Sequence, residues 1–202
     1  MHKEARGTKQ KKDARQRLLD AAQELFCRRG FDGVSTREIA SRAGVNEVTI
    51  FRLFGTKENV LFAIFDREAD IRSRIEPRWL EPTDDVVADL TRFGQFMLEG
   101  MLLKAPIMKL GMTEMSRRPL IWKRVSPAPE TALELLSRYF VLAVRKGLIR
   151  DVDPRLAATV FFSFFFRSMV METFLGRDML MVMDKKAISG FCRLFYEGLR
   201  NG

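Results

Sequence analysis

The residues best suited to chemistry in this chain are bunched in one stretch, STREIASRAGVNEVTIFRLFGTKENV, residues 35–60. Thr36, Arg37, Asn46, Glu47, Thr49, Arg52 and Lys57 supply hydroxyls, a carboxamide, a carboxylate and three cations within 22 residues. No nucleophile stands beside a base. These groups suit hydrogen bonding to phosphate oxygens and to base edges. Elsewhere the means for catalysis are thin. The only histidine is His2, and Cys27 and Cys192 are isolated, with no paired-cysteine spacing. There is no G-x-S-x-G, H-E-x-x-H or phosphate-loop motif. No catalytic residue, metal site or cofactor is therefore expected, and the cysteine pattern fits a reducing compartment.

Charge points to an acidic partner. The chain carries a net +9, and its first 57 residues hold 13 Lys+Arg against 7 Asp+Glu. Lys3, Arg6, Lys9, Lys11, Lys12, Arg15 and Arg17 gather at the start. Residues 1–12 lack periodicity and read as a flexible basic arm, suited to tracking phosphates or entering a minor groove. No apolar signal core follows them. The most apolar run, 156–175, is interrupted by Arg167 and Glu172. It reads as an interface helix and not a bilayer span, so no membrane partner and a cytoplasmic location are expected.

Several helices must position the polar groups. Leu18, Ala22, Leu25 and Phe26 recur at helical spacing, predicting a helix from near Asp13 to Gly30. Ser35-Thr36-Arg37-Glu38 has the form of a capping box that opens a short helix, and Gly44 suits the left-handed position after its end. Asn46 is a good cap for a second short helix that ends near Gly55, and Thr56 caps a third. The three-residue connection Gly44-Val45-Asn46 has the length of a helix-turn-helix turn. Such a unit lays its second helix in the DNA major groove, with the first crossing behind. Lys57, opening the next helix, is placed for a flanking phosphate. Beyond it the pattern is helical throughout, punctuated by Pro77, Pro82, Pro106, Pro119, Pro127, Gly147, Pro154 and Gly176, with no strand-like alternation.

At this point the residues resemble the tetracycline-repressor (TetR) family of bacterial regulators. The resemblance covers residues 18–65. It rests on A-x-x-L-F…G-F at Ala22 to Phe31, T-x-x-I-A at Thr36 to Ala40, A-G-V at Ala43 to Val45, T-[LI]-[YF]-x-x-F at Thr49 to Phe54, and K-E-x-[LV]-[LF] at Lys57 to Leu61. It implies that Thr36, Thr49, Phe51 and Lys57 meet phosphates, and that Arg37, Val48 and Arg52 lie near bases. Three departures stand out. Phe51 lacks the hydroxyl of the tyrosine frequent there, which leaves it packing or an apolar contact with sugar or a thymine methyl. Glu47 replaces a basic or neutral residue; it accepts from a cytosine amino group or only favours the helix N-terminus. Leu53 replaces a polar residue.

The expected architecture is all-α. It comprises the arm 1–12, a three-helix helix-turn-helix DNA-binding domain over 13–56, and a helical effector-binding and dimerisation domain over 57–202. Two-fold dimers double the readout, which predicts double-stranded DNA with a pseudo-palindromic operator as partner. The aromatic helix and the last helix supply the expected homodimer face: Phe161, Phe164, Phe165, Ser168, Phe191, Leu194 and Phe195. The resemblance implies the same pairing of the last two long helices. Eleven methionines and seventeen phenylalanines suit an adaptable, largely apolar pocket for a small-molecule effector. Its candidate lining is Phe93, Met97, Met101, Met108, Met112, Met115, Trp122 and Tyr139, with Glu99 and Glu114 facing a cationic ligand or solvent. The function implied is a ligand-released transcriptional repressor. The alternatives are the same DNA binder without an effector, and a helical enzyme or lipid-handling protein.

Overall fold

The computed structural model describes residues 2–68, 77–125, 127–175 and 184–200, and among these no strand occurs. The helices in chain order are α1 (His2–Arg29), α2 (Thr36–Ala43), α3 (Val48–Phe54), α4 (Lys57–Glu68), α5 (Val86–Leu103), α6 (Ala105–Glu114), α7 (Leu120–Val125), α8 (Pro127–Arg145), α9 (Pro154–Leu175) and α10 (Lys185–Glu197). A 3₁₀ turn, Pro77–Leu80, precedes α5.

The chain divides into two compact units, Met1–Ala69 with Pro106–Val125, and Asp70–Ala105 with Ser126–Gly202. This differs from the boundary at 56/57. Val60, Leu61, Ile64 and Phe65 of α4, and Ile107, Leu110 and Ile121 of α6 and α7, share one core with α1–α3. The four residues of α4 form one apolar face that α1 and α3 need for burial, so α4 stays with them. Residues 2–12 are helical and continue α1, since Lys, Arg, Gln, Glu and Ala are good helix formers and no proline intervenes.

Local signals set α2 and α3. The Ser35 hydroxyl accepts from the Glu38 N–H, and Glu38 accepts from the Ser35 N–H at 2.8 Å, a complete capping box. Arg29, and then the Ser35 N–H and hydroxyl, hold the Glu38 carboxyl down at about 2. Gly44 closes α2 in the left-handed region at φ +65°, and the Val45 N–H donates back to Ala40 O. Gly55 closes α3 at φ +79°, and the Thr56 hydroxyl accepts from the Asn59 N–H to start α4.

The second unit packs Leu90, Phe93, Tyr139, Phe140, Phe161 and Phe165 into its centre. Gly94 lets α5 approach α9. A Cβ there would clash with Phe165 Cζ, and the Phe165 ring is fully buried. Alanine in a helix gains about 1 kcal/mol over glycine, but overpacking costs about 1–3 kcal/mol. Gly94→Ala is therefore expected to lower stability by up to about 2 kcal/mol in denaturant unfolding. A stabilised variant would mean that the Phe165 ring has room to swing aside. By length and composition α9 suffices to cross a membrane. Its Ala157, Ala158, Phe161, Phe162, Phe165 and Met169 are instead buried in this unit.

Candidate nucleic-acid interface

Ile50 and Phe54 anchor α3 in the first core, which fixes the outward side of the helix. That side carries Val48, 69% exposed, Phe51, 49% exposed, and Arg52, also exposed. Thr49 is half-buried at its shoulder. Asn46 is exposed, and its Oδ1 accepts from the Val48 N–H at 3.0 Å, so it caps α3 from one position further out than an ordinary cap. Arg37, in the first turn of α2, is exposed. Neither Arg37 nor Arg52 forms an ion pair among the described residues. The expected residues at 36–37 thus lie in the first turn of α2, and those at 46–52 run from the approach to α3 into its last turn.

Thr36 and Glu47 are bound to each other. The Thr36 hydroxyl donates to Glu47 Oε1 at 2.6 Å. Glu47 therefore makes no cap bond to its own helix. A hydroxyl has one proton to give, so Thr36 does not offer it to a phosphate while Glu47 holds it. A carboxylate here also repels a polyanion. At about 6 Å through water one such pair costs roughly 0.7 kcal/mol, and salt screens it. Glu47→Gln is expected to tighten DNA binding by roughly threefold at low salt, with the gain shrinking as salt rises. Fluorescence anisotropy at several salt concentrations measures this. Weaker binding by the variant would show that Glu47 accepts from a base.

Lys57 is committed elsewhere than expected. Its Nζ donates to Phe31 O at 3.0 Å and to Val34 O at 2.8 Å, and it lies 4.1 Å from the Phe31 ring centroid. Burial lowers its pKa below the ordinary lysine range. The opposite partner of Phe31 is Arg118, whose Cζ is 4.0 Å from the same centroid. Two cations at one ring need counter-charges. Glu114, 6% exposed, accepts from Arg118 and from the Phe31 N–H, while Asp32 accepts from Arg118 at 2.7 Å and from Arg117 at 3.1 Å. Glu114 therefore faces neither ligand nor solvent. The cluster ties the α1–α2 turn to α4 and to the end of α6. Sequence reasoning missed it; the Gly-Phe pair at 30–31 was its one visible sign.

The residues expected to line an effector pocket divide between the units. Phe93, Met97 and Tyr139 are buried core of the second unit, and Met101 is partly buried against them. Met108, Met112 and Met115 lie in the first unit, Met115 against its core. The Trp122 side chain lies outside the described residues. The Tyr139 hydroxyl donates to the buried Asp89 at 3.1 Å, and burial followed by the Asp89 charge pushes its pKa well above the ordinary phenol range. A groove of about 610 Å³ between α5 and α10 is lined instead by Thr91, Arg92, Gln95, Ser189, Arg193 and Tyr196, among others. Burial raises the Cys27 and Cys192 thiols to about 11, which leaves no thiolate nucleophile at neutral pH.

The expected dimer residues also separate. Phe161 and Phe165 are fully buried within the second unit and are core, not surface. Phe164, Ser168, Phe191 and Phe195 are half-buried, with Phe164 stacked on Phe191 at 3.7 Å. Leu194 is 77% exposed. The run 158–166 is apolar nearly all round, so its pattern did not tell inward from outward residues. Leu156 and Val160, one turn apart on α9, form the exposed apolar edge there.

Comparison with known proteins gives this geometry a family context. Residues 18–64 match the family model of the bacterial regulatory proteins of the tetR family, and residues 88–188 match the C-terminal domain of AefR-like transcriptional repressors. The uncharacterized HTH-type transcriptional regulator YvkB of Bacillus subtilis is 29% identical over 184 residues, covering 91% of this chain and 95% of that protein. A TetR-family transcriptional regulator from Mesorhizobium loti superposes with a TM-score of 0.76 at 20% identity, covering 93% of this chain and 95% of the other. The flavonoid-responsive regulator FrrA superposes with a TM-score of 0.71 at 20% identity, covering 93% and 97%.

Proposed function

The chain belongs to the tetR family of bacterial regulatory proteins and is a helix-turn-helix transcriptional regulator, and from that premise we propose that it is a homodimeric repressor released from a pseudo-palindromic operator by a small, largely apolar effector. The observation that carries the DNA-binding part is the outward side of α3. Val48, Phe51 and Arg52 stand exposed on a helix anchored by Ile50 and Phe54. The exposed Arg37 of α2 and Arg52 of α3 supply positive charge for phosphates or guanine edges. Dimerisation is supported by the exposed Leu156, Val160 and Leu194 on α9 and α10. The repressor sign is supported by the AefR-like model over residues 88–188. Effector release is supported by the named response of FrrA to flavonoids and by the stock of methionine and phenylalanine. An effector acts by population shift, in proportion to its preference for a dimer whose DNA-binding units no longer match the half-site spacing. The cytoplasm, where the operator is, is the corresponding location.

Mapping of bound chromosomal sites, with transcript levels after deletion of the gene, tests the sign. Transcripts beside the bound sites are expected to rise. A fall would make the protein an activator. Release of labelled operator by apolar small molecules tests the effector; a saturating bound compound that leaves operator affinity unchanged contradicts the mechanism.

A further inference from the structure

The core explains Ile50 and Phe54 but not Val48 or Phe51. These two large apolar side chains stand three residues apart, 69% and 49% exposed, and are neighbours on one side of α3. Arg52 is one turn beyond Val48, exposed and without an ion pair among the described residues. An apolar pair on the helix that carries Arg52, with the exposed Arg37 on the adjoining α2, fits a surface that is anionic and yet carries apolar points. The major groove is such a surface. Its base edges display one apolar group, the thymine C5-methyl.

We propose that Val48 and Phe51 read thymine methyl groups, so that each operator half-site carries thymine at one or two fixed positions beside the base or phosphate met by Arg52. This rests on the DNA-binding reading above. Phe51 has no hydroxyl to give a phosphate, and of the apolar contacts left to its exposed ring the thymine methyl is the one that lies on a base edge. The Thr36–Glu47 bond turns Glu47 toward α2. Val48 is then the first side chain of α3 that is largely exposed.

The test replaces each thymine of a selected operator, one at a time, by deoxyuridine. This removes the methyl and leaves every hydrogen-bonding edge in place. At the contacted positions wild-type affinity is expected to fall roughly fourfold, the effect of one buried methyl-sized group, and equally in both half-sites. Val48→Ala or Phe51→Ala is expected to bind the thymine and uracil forms alike at its own position. Both side chains are exposed, so the variants keep their core, and circular dichroism verifies this. The uracil series on the wild-type chain decides alone if a variant loses binding outright. A site bound tightly and specifically whose thymines all tolerate uracil overturns this inference and leaves the regulator reading standing. Failure to prefer any sequence overturns that reading and this inference with it.

Discussion

Asp89→Ala is expected to destabilise the second unit by about 3 kcal/mol, the lower end of the cost of breaking a buried ion pair. The Asp89 carboxylate is 1% exposed. Its Oδ2 accepts from the Thr83 N–H at 2.8 Å, the Thr83 hydroxyl at 3.0 Å and the Tyr139 hydroxyl at 3.1 Å, while Oδ1 accepts from Arg92 at 2.8 Å. Alanine would leave the buried Tyr139 hydroxyl unpaired and Arg92 uncompensated. Arg92 Nε already lacks a partner among the described residues. The Arg92 side chain is partly exposed, so water tempers the loss and the lower end applies. Tyr139→Phe removes only the hydroxyl and is expected to cost about 1 kcal/mol. Denaturant unfolding of both variants and their double mutant measures the coupling. A neutral Asp89→Ala would mean that the network contributes nothing net.

Arg118→Ala is the second large effect, expected at about 2–4 kcal/mol. Glu114 is nearly buried and would keep only the 3.4 Å bond from the Phe31 N–H. Phe31 would lose one of the two cations at its ring. The turn that Phe31 begins joins α1 to α2, and α2 carries Thr36 and Arg37. Loosening it is expected to weaken operator binding as well as stability, although Arg118 faces no DNA in this account. Arg118→Lys keeps the charge but not the fork that serves Glu114 and Asp32 together, and is expected to recover less than half of the loss. Unfolding curves and operator titrations on the three proteins decide. Unchanged stability in Arg118→Ala would show that the cluster is incidental.

These two clusters mark where the sequence stopped being legible. Ser35 with Glu38, Gly44, Gly55 and Thr56 were readable because each acts within a few residues, through a cap or a positive φ. Leu18, Ala22 and Phe26 followed from helical spacing and are buried in the first core. The internal bonds of Lys57 were not readable because its partners, the Phe31 and Val34 carbonyls, lie more than 20 residues away and belong to a turn. Asp89 carried no sequence signal, because the partner that makes it a buried centre, Tyr139, lies 50 residues on. Phe161 and Phe165 could not be told from Val160 and Phe164 by hydrophobicity, since all are apolar. Glu47 was visible as a departure, but its bond to Thr36 depends on how α2 and α3 cross. Long-range pairing of polar groups, rather than the helices, is what one sequence leaves hidden.

The central claim is that α3 confers sequence-specific recognition on a two-fold dimer. Selection of bound duplexes from a random pool, followed by titration of the winner with wild-type protein and Arg52→Ala at several salt concentrations, tests it most directly. The account predicts an enriched site with two-fold symmetry, bound far more tightly than scrambled DNA. Arg52→Ala is expected to lower affinity for that site by about tenfold to a hundredfold and to relax the preference at one base pair in each half-site. An unenriched pool, with weak binding that salt abolishes and that Arg52→Ala leaves unchanged, would contradict the account and leave the net +9 charge acting without sequence.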